Sequence, residues 1–126
     1  MIRGIGVDVV HVRRIEHWLT VPGLVERFFH PLELESALAR GSTAALSLAA
    51  RFAAKEAFGK ALGSGLRGMR LADIRVINKH NGQPAMELYG SALERFLESG
   101  ADEIHLSLTH ERDNAIAMIV LEATGA

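Results

Sequence analysis

The first ten residues alternate between branched apolar side chains and small or acidic ones. Ile5, Val7 and Val9 occupy one set of alternate positions, whereas Gly4, Gly6 and Asp8 occupy the other. Because successive side chains of a strand point to opposite faces, this pattern predicts a buried strand over residues 2–10. Its second face is almost bare of side chains, so a ligand or another backbone can approach that face closely.

The spacing of apolar residues in the rest of the chain predicts several helices. The predicted helical segments are residues 11–19, 24–29, 32–39, 44–62 and 91–99. The longest is rich in alanine; Ser42-Thr43 offers its N-cap, and Gly63-Ser64-Gly65 ends it. Gly100 is placed to close the last helix.

Four further segments have the pattern of strands: residues 74–78, 85–89, 103–109 and 115–122. Asn81-Gly82 separates the first two and predicts a tight hairpin, and the polar residues 110–114 join the last two. Helices and hairpins mixed in this order predict an α+β fold. We expect one domain over residues 1–126, with a mainly antiparallel sheet packed against one long and several short helices.

Composition and charge exclude several classes of protein. The chain has 126 residues, of which 48% are hydrophobic, enough for one core without staples. Its formal charge of −1 gives no global reason to bind nucleic acid or an anionic membrane. There is no cysteine, and no apolar stretch approaches the roughly 20 residues of a membrane span. We expect a cytoplasmic protein without nucleic-acid or membrane partners.

Asp8 stands near the end of the predicted first strand. A carboxylate at such a position must be paired, hydrogen-bonded or metal-bound, because removing a charge from water is costly. Two interpretations stay open: Asp8 caps the helix that begins near residue 11, or it binds a cation on the glycine-cleared face.

Charged residues on the long helix fall into two rows. One row holds Phe52, Glu56 and Lys60, and the neighbouring row holds Arg51, Lys55 and Gly59. One carboxylate among three cations can hold a metal ion and a polyphosphate together. The alternative is an ordinary exposed salt bridge between Glu56 and Lys60, worth only about 0.3–0.5 kcal/mol.

Two shorter signals follow the long helix. In the turn after it, the backbone N–H groups of Gly63 and Gly65 can cradle phosphate, although one glycine is needed merely to end the helix. His110 ends the strand predicted over residues 103–109 and can accept a proton from an attacking hydroxyl. The alternative for His110 is a turn histidine hydrogen-bonded to backbone.

Taken together, four segments resemble the holo-acyl-carrier-protein synthase family. They are residues 4–10 (GIGVDVV), 51–58 (RFAAKEAF) with 60–63 (KALG), 81–84 (NGQP) and 106–111 (LSLTHE). Their order and spacing cover nearly the whole chain, and the third segment is generic. Thr109 stands where the family commonly has serine, and His30 where it often has threonine, which leaves the role of Glu33 open.

The resemblance implies a reaction and a metal. Such enzymes transfer 4′-phosphopantetheine from coenzyme A to a serine of an apo-acyl carrier protein in fatty acid biosynthesis, and release adenosine 3′,5′-bisphosphate. Asp8 and Glu56 match the family's Mg²⁺ ligands, and Glu56, Lys60 and His110 are the implied catalytic residues. The general base stays open between His110 and a metal-bound water. The predicted coenzyme A contacts are Arg51, Lys55, Gly63, Gly65 and Thr109.

The resemblance also implies a homotrimer with active sites between subunits, so that Asp8 and His110 need not share a chain. The carrier protein is acidic, and Arg13 and Arg14 are the predicted contacts for it. Two other readings compete: a non-catalytic trimeric module that binds nucleotide or carrier protein, and a plain interaction domain. The presence of Asp8, Glu56 and Lys60 argues against the first.

Overall fold

Nine regular elements make up the chain, which a computed structural model describes over residues 1–126. The strands are β1 (Ile2–His11), β2 (Ile74–Asn78), β3 (Pro84–Leu88), β4 (Glu103–Glu111) and β5 (Asn114–Glu122). The helices are α1 (Val12–Leu19), α2 (Pro31–Leu38), α3 (Ala44–Ala61) and α4 (Gly90–Glu98). No helix combines the length and the apolar character needed to cross a membrane.

Two antiparallel sheets form the β layer. The larger has the strand order β1-β5-β4, and the smaller is the hairpin β2-β3. Helix α3 packs across β1 and β5, with alanines and phenylalanines of α3 in the buried core. The prediction of an α+β fold with a mainly antiparallel sheet around one long helix is confirmed.

The first strand is where the burial pattern differs most from the prediction. Its glycine face is the buried one: a Cβ on Gly6 would lie 2.0 Å from the Ala57 carbonyl oxygen, so β1 and α3 are in backbone contact. The branched side chains of the other face are exposed, at 61% for Ile5 and 55% for both Val7 and Val9. The expectation of a strand with its apolar face buried in this chain is therefore wrong.

The ends of α3 differ in how well the sequence indicated them. Neither Ser42 nor Thr43 caps the helix, because a 3-10 turn over Gly41–Thr43 runs directly into it and Thr43 lies outside the extended backbone region that a cap requires. At the other end Gly63 has a φ of 82°, the left-handed conformation expected of the residue that stops a helix.

Smaller differences concern the neighbouring segments. The predicted helix over residues 24–29 is a 3-10 turn, Val25–Arg27. Strands β4 and β5 extend to a two-residue turn, Arg112-Asp113, so His110 lies within β4 opposite Ala115 and does not end the strand. The hairpin at Asn81-Gly82 and the close of α4 at Gly100 agree with the prediction.

Candidate active site

Asp8 and Lys60 form the first part of the site, on the buried face of β1. The Lys60 ammonium donates to Asp8 Oδ1 at 2.9 Å and to the Val7 carbonyl at 3.0 Å. Asp8 does not cap α1, whose N-cap residue, His11, has no side-chain capping bond. Since Lys60 pairs with Asp8, the alternative of a Glu56–Lys60 salt bridge is also absent from the structure.

Glu56 lies one turn before Lys60 and is half-buried without an ion-pair partner. Burial raises the pKa of its carboxyl group, and the negative charge of Asp8 raises it further, while Arg14 and Lys60 oppose the shift. Because Lys60, one helical turn after Glu56, bonds to Asp8, α3 brings the two carboxylates into one neighbourhood. Their mutual repulsion is relieved by a proton or by a cation.

The donor set of this neighbourhood fits a magnesium ion. It offers carboxylate oxygens from Asp8 and Glu56, and nowhere in the chain do three or more acidic, histidine or cysteine side chains cluster as ligands. Magnesium prefers oxygen ligands and retains several water or phosphate ligands, so two protein carboxylates are enough. Asp8, Glu56 and Lys60 are the predicted site residues that one chain brings together.

Arg51 and His110 belong to a second part of the site. They line a cavity of about 220 Å³ together with Arg40, Asn78 and Thr109. His110 lies within β4 opposite Ala115 and lines this cavity, so the alternative of a turn histidine is wrong. The Arg51 guanidinium is largely buried and donates to the Val76 carbonyl at 2.6 Å, so most of this side chain lies behind the surface of the cavity.

Lys55 was predicted to contact phosphate, and its position contradicts that prediction. Its side chain is fully buried, and its ammonium donates to Glu33 at 2.6 Å, to the Phe28 carbonyl at 2.8 Å and to the Leu71 carbonyl at 2.9 Å. An ammonium has three donors, so none remains for a ligand. Burial lowers the pKa of Lys55 to about 8 despite the opposing charge of Glu33.

The backbone amides of the glycine turn are also occupied within the chain. The Gly63 amide donates to the Lys60 carbonyl at 3.0 Å, and the Gly65 amide donates to the Gly59 carbonyl at 3.0 Å. These bonds close the end of α3, so the prediction that the Gly63 and Gly65 amides cradle phosphate is not supported by this geometry. Arg95 of α4 holds the turn from outside through the Arg67 carbonyl and the Ser64 hydroxyl.

Arg13 and Arg14 lie on the exposed side of α1, in a cavity that they share with His11, His17, Asp113 and Asn114. Arg14 lies with its guanidinium carbon 5.0 Å from the Trp18 ring centre and 5.2 Å from that of Phe52. From there its charge reaches Glu56 and lowers that pKa. The basic surface predicted for a partner therefore adjoins the carboxylate pair.

Within one chain the two parts of the site are separate. Asp8 lies on the edge strand β1 opposite Ala117, and His110 lies on the other edge strand, β4, opposite Ala115. The central strand β5, covered by α3, stands between them. A single chain thus carries a carboxylate–lysine cluster and a histidine–arginine cavity on opposite sides of the same helix.

Comparison with known proteins identifies the family. A family profile described as the 4′-phosphopantetheinyl transferase superfamily matches residues 4–119. This chain belongs to that superfamily. It is 54% identical to a holo-[acyl-carrier-protein] synthase of Treponema denticola over 122 residues, which cover 97% of this chain and 99% of the relative. It is an enzyme of the phosphopantetheinyl transferase class.

Solved structures of the family share the whole fold. A holo-[acyl-carrier-protein] synthase from Neisseria meningitidis superimposes with a TM-score of 0.84 at 37% identity, covering 97% of this chain and 99% of its own. One from Bacillus anthracis, solved in complex with coenzyme A (3′,5′-ADP), has a TM-score of 0.82 at 34% identity, covering 98% of this chain and 99% of its own.

Glu33 is the residue of structural importance that the sequence interpretation left unassigned. It forms a capping box with His30, in which the His30 side chain accepts from the Leu32 amide and Glu33 accepts from the His30 amide. The spacing matches the usual Ser/Thr-x-x-Glu signature, but histidine replaces the usual cap residue. That substitution hid the signal.

Proposed function

We propose that this enzyme transfers 4′-phosphopantetheine from coenzyme A to a serine of an apo-acyl carrier protein, with adenosine 3′,5′-bisphosphate as the leaving group. The observation that carries the proposal is the cluster of Asp8, Glu56 and Lys60 on the glycine-cleared face of β1. The Bacillus anthracis relative binds coenzyme A, which supports the choice of donor.

Asp8 and Glu56 would hold a magnesium ion. When bound, magnesium neutralises charge on the diphosphate and on the leaving phosphate. Lys60 orients the Asp8 carboxylate through the 2.9 Å bond, and its side chain is 53% exposed. Because the ammonium remains accessible, Lys60 can also contact a diphosphate oxygen at the same place.

The cavity beside His110 would take the nucleotide end of coenzyme A. Arg40 and Arg51 supply positive charge along it, and Thr109 and Asn78 supply hydrogen-bonding groups. His110 can donate to a phosphate or accept the proton of the carrier serine, because an imidazole has both a hydrogen-bond donor and a proton-accepting nitrogen. The proposal leaves the general base open between His110 and a water.

Two features of the chain support a homotrimer with shared active sites. The outward face of the larger sheet exposes Ile5, Val7 and Val9 on β1 beside Met118 on β5, an apolar surface that a second copy would cover. The two parts of the site lie on opposite edges of the sheet, so neighbouring copies in a ring can join one chain's carboxylates to the next chain's His110.

An acidic carrier protein would dock on α1. Arg13, Arg14 and the nearby histidines form an exposed basic surface that adjoins Glu56. A serine delivered across this surface arrives at the carboxylate pair. Fatty acid biosynthesis in the cytoplasm is the setting that this substrate pair implies.

The deciding experiment mixes the protein with apo-carrier protein, coenzyme A and Mg²⁺ and follows the carrier's intact mass. We expect one phosphopantetheine adduct, which a chelator, the Glu56→Gln variant and a carrier lacking its serine each abolish. An unmodified carrier under all conditions would refute the proposal. If the carrier or coenzyme A still binds without transfer, the non-catalytic module of the same fold is the better description.

A further inference from the structure

A buried ion pair connects α2 to α3 behind the candidate active site. Glu33 Oε1 lies 2.6 Å from the Lys55 ammonium, and both side chains are 0% exposed. Lys55 also donates to the carbonyls of Phe28 and Leu71, so its ammonium is tied to three separate segments of the chain. Every polar atom of these buried side chains has a partner.

Glu33 extends the same network to the hairpin. Its Oε2 accepts from the Val76 amide at 2.9 Å, while Arg51 donates to the Val76 carbonyl at 2.6 Å. The backbone of Val76 is thus held through its N–H group from α2 and through its carbonyl from α3. Because Val76 and Arg51 both line the His110 cavity, the network also fixes a wall of that cavity.

The packing of α3 explains why such a network is needed. The buried surface of α3 is mostly alanine, and the strand that it crosses presents Gly4 and Gly6. Small side chains allow close approach but offer few knobs that would set the rotation of the helix about its axis. Glu56 follows Lys55 in the chain, so an anchor on Lys55 determines the direction in which Glu56 points.

Energetics favours a geometric role over a stabilising one. A buried ion pair loses hydration that its attraction often fails to recover, and apolar replacements of such pairs are often as stable as the original. Pairs of this kind are best explained where they select one arrangement among several. Here the arrangement selected is the orientation of Glu56 and Arg51.

We propose that Glu33 is a positioning residue for phosphopantetheinyl transfer. Through Lys55 and Val76 it sets the rotation of α3, directs Glu56 toward Asp8 and holds the hairpin wall of the His110 cavity. Neither Glu33 nor Lys55 touches the reacting atoms. The inference rests on the proposed function for its kinetic consequences, and on the hydrogen-bond network alone for its structural ones.

The test compares Glu33→Gln with the double variant Glu33→Gln/Lys55→Gln. The single variant leaves the Lys55 charge buried without a counter-ion, so its Tm falls; the double variant removes both charges and recovers most of that loss. We expect kcat of the double variant to stay about tenfold or more below the parent value, because a displacement near 1 Å weakens catalysis strongly. Its KM for the carrier protein should change less than its kcat, since no residue of α1 forms a hydrogen bond in the network.

A matched control and a conservative variant complete the kinetic test. The control variant Arg75→Gln/Glu87→Gln removes a partly exposed ion pair from the same hairpin, in which Arg75 Nη1 lies 3.3 Å from Glu87 Oε1. This variant should leave kcat unchanged. Glu33→Asp keeps the charge but shortens its reach, and should fold with reduced kcat. If the double variant or Glu33→Asp recovers parental kcat along with Tm, the pair is merely structural and the proposal is overturned.

Hydrogen exchange separates this proposal from the proposed function. In the double variant we expect the backbone amides of residues 56–60 to exchange about tenfold faster than in the parent protein, even though the Tm of the variant has largely recovered. Unchanged exchange overturns the positioning role even if the parent protein transfers nothing. If exchange is faster in the double variant but the parent protein transfers nothing, the positioning of α3 is supported and only the proposed reaction is refuted.

Discussion

Replacing Gly6 with alanine is expected to separate β1 from α3. The added Cβ would lie 2.0 Å from the Ala57 carbonyl oxygen and 2.9 Å from the Ala61 amide nitrogen, and both are backbone atoms that no rotamer change can move. Ordinary contact begins at 3.4 Å, so the two backbones must part by about 1.4 Å.

The displacement acts directly on the candidate active site. Asp8 follows two residues after Gly6 on the same face, and Glu56 precedes Ala57 on the helix. Overpacking of this kind costs about 1–3 kcal/mol of stability. Misplacing a ligand pair by about 1 Å costs roughly 100-fold in rate, so we expect Gly6→Ala to fold with a lower Tm and to lose transfer by about that factor.

The assay measures Tm by circular dichroism and transfer by the carrier's mass, with Gly82→Ala as the control. Gly82 has a φ of 84° and open space around its Cβ position, so this control reports the loss of glycine's backbone freedom without a collision. We expect it to lose some stability and to keep full transfer. Full transfer in Gly6→Ala at parental Tm would refute the inference that β1 and α3 set the carboxylate spacing.

Three further predictions concern charge. Because burial and Asp8 raise the pKa of Glu56, its carboxylate gains a proton at a higher pH than an ordinary glutamate does. As the pH is lowered, the Mg²⁺ affinity measured by calorimetry should therefore begin to weaken at a pH above the one at which ordinary glutamates are protonated. In Glu56→Gln the affinity should be weak at every pH. Hydrogen bonds from Thr124 lower the pKa of Asp102 in the folded state. The stabilisation that this carboxylate gives is therefore complete above its pKa in the unfolded chain and is lost as the pH falls through its pKa in the folded protein. Asp102→Asn should lower Tm at neutral pH, and the difference in Tm between this variant and the parent should disappear in acid. Arg14→Ala should raise KM for the carrier protein more than KM for coenzyme A, and an equal rise for both would contradict a docking role.

Local patterns indicated the elements and part of the site. Residues 44–62 were predicted as the long helix, and the helix spans Ala44–Ala61 because its alanines favour helix and Gly63 stops it. Asp8 and Glu56 are the predicted metal ligands, and the structure brings them into one neighbourhood beside Lys60, while their binding of a shared metal stays a prediction. These features depend on near neighbours in the chain or on one strand crossing one helix.

Long-range contacts explain what the patterns could not indicate. Lys55 has the spacing of a surface cation, yet its partners are 16 to 27 residues away in sequence and converge only after folding. The Ile5–Val7–Val9 stripe signals a surface to be buried, but a pattern cannot say whether the same chain or another copy covers it. The fit of glycine to the alanine helix buried the opposite face instead.

The division of the site between the edges of the sheet leads to a mixing experiment. If the protein is the proposed homotrimer and each active site joins Asp8 of one chain to His110 of the next, the Asp8→Ala and His110→Ala variants are each inactive on their own. When equal amounts of the two variants are dissociated and reassembled at random, about a quarter of the interfaces join an intact Asp8 to an intact His110. The chain that supplies Asp8 is the His110→Ala variant with an even chance, and the next chain is the Asp8→Ala variant with an even chance. We expect transfer to recover to about that fraction of the parent rate, while unmixed variants taken through the same cycle stay inactive. Mass spectrometry would verify that mixed trimers have formed. If activity then fails to recover, Asp8 and His110 act within one chain. Because β5 and α3 separate the two edges of the sheet, that outcome would require a rearrangement that this fold does not show.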